Sequence, residues 1–215
     1  MKTAIFDLDG TLADTLFDLA DAVNGGLKTL GFPVHPYEPY RHFVGNGAMK
    51  LCERALPDGK KEFSEELHRL FRENYNRNYL DKTKLYDGIH ETLKKLSENG
   101  VVLAVATNKP ENFAVKMIDN LLSDINFVKV LGGTDSRPKK PEKPIIDEIL
   151  SAVGETDEVY MIGDSNVDIQ TAKKSGLISI GCTWGFRERE ELIDEGADYI
   201  AETPSDIAEI ILKSK

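Results

Sequence analysis

The chain has 215 residues, 40% hydrophobic and 30% charged, and its 27 Lys+Arg against 37 Asp+Glu give a formal net charge of −10. This composition is that of an ordinary globular protein, long enough for one substantial domain or a core with a smaller companion, and its acidity without a long basic run argues against nucleic acid and anionic membranes as partners. No apolar stretch approaches the roughly 20 residues of a membrane-spanning helix, Asp7 interrupts the N-terminal apolar run too early for a signal peptide, and Cys52 and Cys182 form neither metal-ligand spacing nor a disulfide framework, so a cytoplasmic location is expected.

Ala4-Ile5-Phe6-Asp7-Leu8-Asp9-Gly10-Thr11-Leu12 reads as a strand that ends in two carboxylates. Asp and Gly are poor strand residues and belong where the strand stops. Strand alternation sets Asp7 and Asp9 on one side of the chain and Leu8 on the other. Carboxylates side by side repel, and a hard divalent cation such as Mg²⁺ relieves the repulsion. The plainer reading is a strand followed by an acidic turn.

Asp14 or Thr15 can cap the helix that Leu16, Leu19, Ala20, Val23, Leu27 and Leu30 mark. A glycine inside a helix costs about 1 kcal/mol against Ala, so Gly25-Gly26 predicts a bend or a close contact. Gly31-Phe32-Pro33 ends the helix, and Pro36 and Pro39 keep the next stretch irregular. Val44-Gly45-Asn46-Gly47 reads as a turn opening a helix through Leu51, Ala55 and Leu56. Phe63, Leu67, Leu70, Phe71 and Tyr75 mark another, running to about Leu80. Residues 15–82 therefore read as all-helical.

Beyond Gly88 strands and helices alternate. A helix with Leu93 and Leu96 ends at Asn99-Gly100, and residues 101–106 form a continuous apolar run, as in a strand buried on both faces. Further strands are expected at 127–131, 159–162, 177–180 and, as a short edge, 197–200, with helices between and after them. This pattern implies an α/β fold with a doubly wound parallel sheet. The expected organisation is a discontinuous core of residues 1–14 and 83–215, with a helical domain of residues 15–82 inserted after the first strand. Ligands of such sheets bind at the C-terminal strand ends, and an insertion there would lie over the site as a lid.

Polar residues follow the other strands. Thr107-Asn108 can bind a phosphate through a hydroxyl and backbone N–H groups, or cap a helix. Lys139-Lys140 and Lys143 can neutralise a phosphate or lie solvated at the surface. Asp164 and Asp168 repeat the acid pair of the first strand, or form an acidic helix N-terminus.

Taken together, Asp7-Leu8-Asp9-Gly10-Thr11, Thr107, Lys140 and Gly163-Asp164 through Asp168 resemble the four ordered motifs of the haloacid dehalogenase superfamily phosphohydrolases. The resemblance covers nearly the whole chain, including the helical cap. Val44–Gly47 with Glu53-Arg54-Ala55-Leu56, and Thr183–Arg187 with Gly196–Ile200, are similar to the bacterial phosphoglycolate phosphatases. What the resemblance implies is a Mg²⁺-dependent phosphomonoester hydrolase with a Rossmann-like core, acting on a small phosphorylated metabolite through an aspartyl-phosphate. It implies that Asp7 is the nucleophile and Asp9 the acid and base. Mg²⁺ would be held by Asp7, the Asp9 carbonyl and Asp164, with Asp168 orienting the metal site. Thr107, Lys140 and the amides of Leu8 and Asn108 would hold the phosphate, and Arg41 and Asn46 are candidate substrate contacts from the cap. Lys143 stands where this family usually has a proline, which keeps it as an alternative to Lys140. A pyrophosphatase, a nucleotidase or a sugar phosphomutase of the same superfamily remains open, as does a monomer or a homodimer. A phosphoryl-accepting signalling module is opposed by the insertion and by the Asp7/Asp9 pair.

Overall fold

The computed structural model describes residues 1–213. β1 (Lys2–Phe6) is buried from Thr3 onward and lies inside the sheet. It pairs in parallel with β4 (Val102–Pro110) on one side and β6 (Glu158–Gly163) on the other. β5 (Phe127–Gly133) extends the sheet beyond β4, while β7 (Ile178–Cys182) and β8 (Tyr199–Ala201) extend it beyond β6. The order is β5-β4-β1-β6-β7-β8, with every pairing parallel.

Parallel strands need crossovers, and helices supply them on both faces. Ile5 packs with Ala104, Met161 and the buried isoleucines of α7 (Pro144–Val153), and with Ala172 of α8 (Asn166–Ser175). Ala4 and Phe6 belong to the other layer, with Leu93 and Leu96 of α5 (Ile89–Glu98), Met117 of α6 (Glu111–Leu121) and Ile207 and Ile211 of α10 (Pro204–Lys213). The alternation along β1 thus divides the core into the two layers of a doubly wound fold. A shorter helix, α9 (Arg189–Asp194), precedes β8.

Between β1 and α5 the chain forms α1 (Leu16–Thr29), α2 (Tyr40–Phe43), α3 (Ala48–Ala55) and α4 (Ser64–Asn78). α2 lies in the stretch expected to be irregular. α1 runs unbroken through Gly25-Gly26, and the glycines mark a close contact. A Cβ on Gly26 would stand 2.6 Å from Leu67 Cδ1 of α4, too near for any larger residue unless the buried Leu67 side chain or α4 shifts.

The two chain crossings between insertion and sheet lie side by side. β2 (Ala13–Asp14) pairs antiparallel with β3 (Lys84–Leu85), a ribbon too short to leave a period in the sequence. Next to it, the buried Asp18 carboxylate accepts from Lys82 N at 3.0 Å, Thr83 N at 2.8 Å and Thr83 Oγ1 at 2.8 Å. β4 also departs from expectation. It continues past Ala106 to Pro110, which pairs with Gly133. Pro110 biases Lys109 toward extended backbone, so Thr107 and Asn108 sit within the strand and cap no helix. Among the described residues, no helix is long and apolar enough to cross a membrane.

Asp18→Ala leaves the buried Thr83 N–H and the half-buried Lys82 N–H without their acceptor. It is expected to lower the unfolding free energy by about 2–3 kcal/mol, read as a reduced urea midpoint with an unchanged denaturant slope.

Candidate active site

The ends of β1, β4 and β6, with the loops after β5 and β7, bring the polar residues together. Asp7 follows β1, its N–H donating to Ile162 O at 2.9 Å and its carboxylate accepting from Leu8 N at 2.7 Å. Lys140 Nζ lies 3.2 Å from Asp7 Oδ1 and 2.6 Å from Asp168 Oδ1. Asp168 opens α8, where its other oxygen accepts from Ser165 N at 3.1 Å and Ser165 Oγ at 2.7 Å in a reciprocal capping box. Asp164 accepts from Thr11 Oγ1 at 3.2 Å and Phe186 N at 2.7 Å. Gly10, at φ 84, closes over it, and a Cβ there would fall 2.3 Å from Asp164 Oδ2.

Three buried carboxylates so close together need opposing charge. Burial pushes Asp7 up to about 6, with Lys140 pulling it back and Asp168 adding to the rise. Burial, then the Asp168 and Asp7 charges, push Asp164 from 3.8 to about 8. Burial would lower the Lys140 ammonium, but Asp168 and Asp7 outweigh it and hold it above its ordinary value. One lysine among three carboxylates leaves a net negative site. Asp7, Asp164 and Asp168 each offer an oxygen within 4.8 Å of the others. An all-oxygen, buried, negative donor set fits a hard divalent cation.

Asp9 stands apart. Its Oδ1 accepts from Thr15 Oγ1 at 2.7 Å and Lys109 Nζ at 2.9 Å, and Lys109 also donates to Tyr75 OH of α4 at 2.7 Å. Thr15 is thus held by Asp9, and Leu16 N finds its acceptor in Asp14 Oδ1 at 3.2 Å. Asn108 Nδ2 donates to Lys140 O and Gly45 O, both at 3.0 Å, and its Oδ1 accepts from Lys140 N at 2.8 Å. It therefore fixes the backbone that presents Lys140 and reaches the insertion as well. Lys143 is exposed at the start of α7, away from this group. Arg41 Nη1 donates to Gly185 O at 3.3 Å, and Asn46 Oδ1 accepts from Arg54 Nη2 at 2.6 Å. Neither lines the cleft. From that turn Gly45 and Gly47 do.

The cleft encloses about 580 Å³ of space when its open mouth is included. Asp7, Asp9, Thr107 and Lys109 line it from the core, and Leu19, Val44, Leu51, Phe71 and Tyr75 from the insertion. Lys109 and Tyr75 escaped the sequence reading. The signal for Lys109 was its place two residues beyond Thr107 in an extended, pre-proline segment, which puts both on one side of the strand.

Residues 4–182 match the haloacid dehalogenase-like hydrolase family. The chain belongs to that family. A phosphoglycolate phosphatase of Vibrio parahaemolyticus is 34% identical to this haloacid dehalogenase-like hydrolase over 223 residues, spanning 100% of this chain and 97% of that protein. Among solved structures, a predicted phosphoglycolate phosphatase of Haemophilus somnus superposes with a TM-score of 0.87 at 29% identity, over 98% of this chain and 97% of that one. A haloacid dehalogenase-like family hydrolase of Streptococcus pneumoniae gives 0.86 at 28% identity, over 97% of each.

The raised Asp164 value carries a sign. Between 3.8 and about 8 the folded, chelator-treated protein holds a proton that the unfolded chain has released. This group's contribution to stability therefore falls as pH rises across that window. Urea titrations in chelator are expected to show that fall for the wild type relative to Asp164→Asn, and added Mg²⁺ is expected to reverse it at the upper end. Parallel pH curves for the two proteins would contradict the electrostatic account.

Proposed function

We propose that this haloacid dehalogenase-like hydrolase is a Mg²⁺-dependent phosphomonoesterase for a small phosphorylated metabolite, with 2-phosphoglycolate the leading substrate. The observation that carries this reading is the division of labour between two neighbouring carboxylates. Asp7 lies 3.2 Å from the buried Lys140, within the negative group. Asp9 lies outside that group, hydrogen-bonded to Thr15 and Lys109 at the cleft. In the proposed reaction an Asp7 oxygen attacks phosphorus as the bond to the leaving oxygen breaks, giving an aspartyl-phosphate. Asp9 delivers a proton to the leaving oxygen, then takes one from the water that attacks the intermediate. The Thr107 hydroxyl, the amides of Leu8 and Asn108, and Lys140 hold the phosphoryl oxygens. Asp7, Asp164 and the Asp9 carbonyl would hold Mg²⁺, which when bound offsets negative charge on the nucleophile and the transferring group. Asp168 acts from behind, holding Lys140 in place at 2.6 Å.

Residues 15–82 are read as a cap domain on a core of residues 1–14 and 83–215, a division supported by the adjoining crossings at β2 and β3. Support for the substrate comes from the Vibrio relative's name and from the small apolar wall the insertion lends to the cleft.

Phosphate release across a panel of monoesters, with and without chelator, tests the reading. The expected result is Mg²⁺-dependent release with 2-phosphoglycolate preferred, and no release from any monoester would overturn it. Asp7→Asn is expected to lower turnover by at least about 1,000-fold with little change in melting temperature. Asp9→Asn should slow alkyl phosphates far more than aryl phosphates, whose leaving groups need less protonation. Equal losses on both would remove the acid from Asp9.

A further inference from the structure

Two cations line the cleft among the described residues, and the proposed reaction uses neither. Arg187 is committed elsewhere, donating to Arg41 O and, at 2.8 Å, to Val44 O, with its Nε 3.5 Å from Glu191. Lys109 is not. Its side chain is only 1% exposed, and an ammonium has three donors. One goes to Asp9 Oδ1 at 2.9 Å and one to Tyr75 OH at 2.7 Å. The third finds no acceptor among the described residues. Tyr75, also 1% exposed, accepts the Lys109 bond, and its own O–H finds no acceptor among them either. Two buried donors thus stand unspent side by side in the cleft wall, one from core strand β4 and one from α4 of the insertion. Buried donors without acceptors are costly, which makes such a pair a binding feature in need of its ligand.

We propose that Lys109 and Tyr75 clamp a carboxylate on the leaving group, so that the site selects phosphate esters of short 2-hydroxy acids. The proposal rests on the phosphomonoesterase reading and names the recognition element of that same site. Lys109 Nζ lies 2.9 Å from Asp9 Oδ1. A leaving oxygen hydrogen-bonded to Asp9 therefore falls within about 8 Å of the ammonium, and within about 6 Å when the bond is to Oδ1. A carboxylate on the carbon that bears the leaving oxygen fills that span. Beside Tyr75 the insertion contributes Leu19, Val44, Leu51 and Phe71 to the wall, side chains that offer nothing to the hydroxyls of a sugar phosphate.

Paired kinetics on 2-phosphoglycolate and ethyl phosphate test the clamp. Both release an alkyl alcohol that needs a proton, and only the first carries a carboxylate. The readout is the ratio of kcat/KM for the two esters, which cancels any change in the service of Asp9. Wild-type protein is expected to favour 2-phosphoglycolate strongly. Lys109→Met should lower the ratio by about 100-fold, Lys109→Arg by less, and Tyr75→Phe, which keeps the buried ring, by about tenfold. If Lys109→Met fails to fold, Tyr75→Phe decides alone. A ratio unchanged in the folded variants overturns the clamp, even where absolute rates fall, and leaves the phosphomonoesterase reading standing. Wild-type protein that releases phosphate from neither ester with Mg²⁺ present overturns both.

Discussion

The ion pair between Lys140 and Asp168 is the contact on which the rest of the site depends. Both side chains are sealed from water, the ammonium 2.6 Å from one carboxylate oxygen. A buried pair with one partner missing is strongly unfavourable, so each residue fixes the other. Asp168 in turn is tied into the first turn of α8 through Ser165, and Lys140 is tied through its backbone to Asn108 on β4. The pair thereby joins the loop after β5 to the end of β6 and sets both against Asp7 at the end of β1. A charge cluster this negative would otherwise loosen the sheet edge. Asp7, Asp164 and Asp168 each keep an oxygen within 4.8 Å of the others, an arrangement that could hold a metal ion.

The two acids of the first motif show how far environment separates identical groups. Asp7 is buried among like charges and pushed upward. Asp9, two residues on, faces the insertion, held by a hydroxyl and an ammonium. β1 ends at Phe6, and the turn that follows gives the two acids different neighbours, Lys140 for Asp7 and Thr15 with Lys109 for Asp9.

Much of this was legible in the sequence. Apolar runs ending in polar residues located the sheet and its C-terminal edge, and the change of period at Gly88 separated the helical insertion from the rest. Asp7, Asp164 and Thr107 could be picked out because each follows a recognisable apolar run, whereas only the family resemblance singled out Lys140 from Lys139 and Lys143. Other features left weaker traces. β2 and β3 are two residues each, too short for a period. Tyr75 sits at core spacing on α4, and helical spacing reports burial without saying where a hydroxyl points. A lone Lys between Asn108 and Pro110 reads as loop until the strand is seen to continue through it. Arg41 and Asn46 looked suited to reach the cleft, but local acceptors and donors claim their side chains first.

The ribbon of β2 and β3, with Asp18 bracing it, has an evolutionary consequence. Both ends of the insertion leave the sheet at one point, a few ångströms of backbone apart. The groups around Asp7 come from β1, β4, β6 and the following segments, and the insertion supplies none of the three clustered carboxylates Asp7, Asp164 and Asp168. The helices between residues 15 and 82 can therefore be exchanged, lengthened or recut as a cassette without redrawing the sheet. A fold built this way can keep the carboxylate group at its sheet edge and change the cleft it opens into, through the walls that α1 and α4 supply.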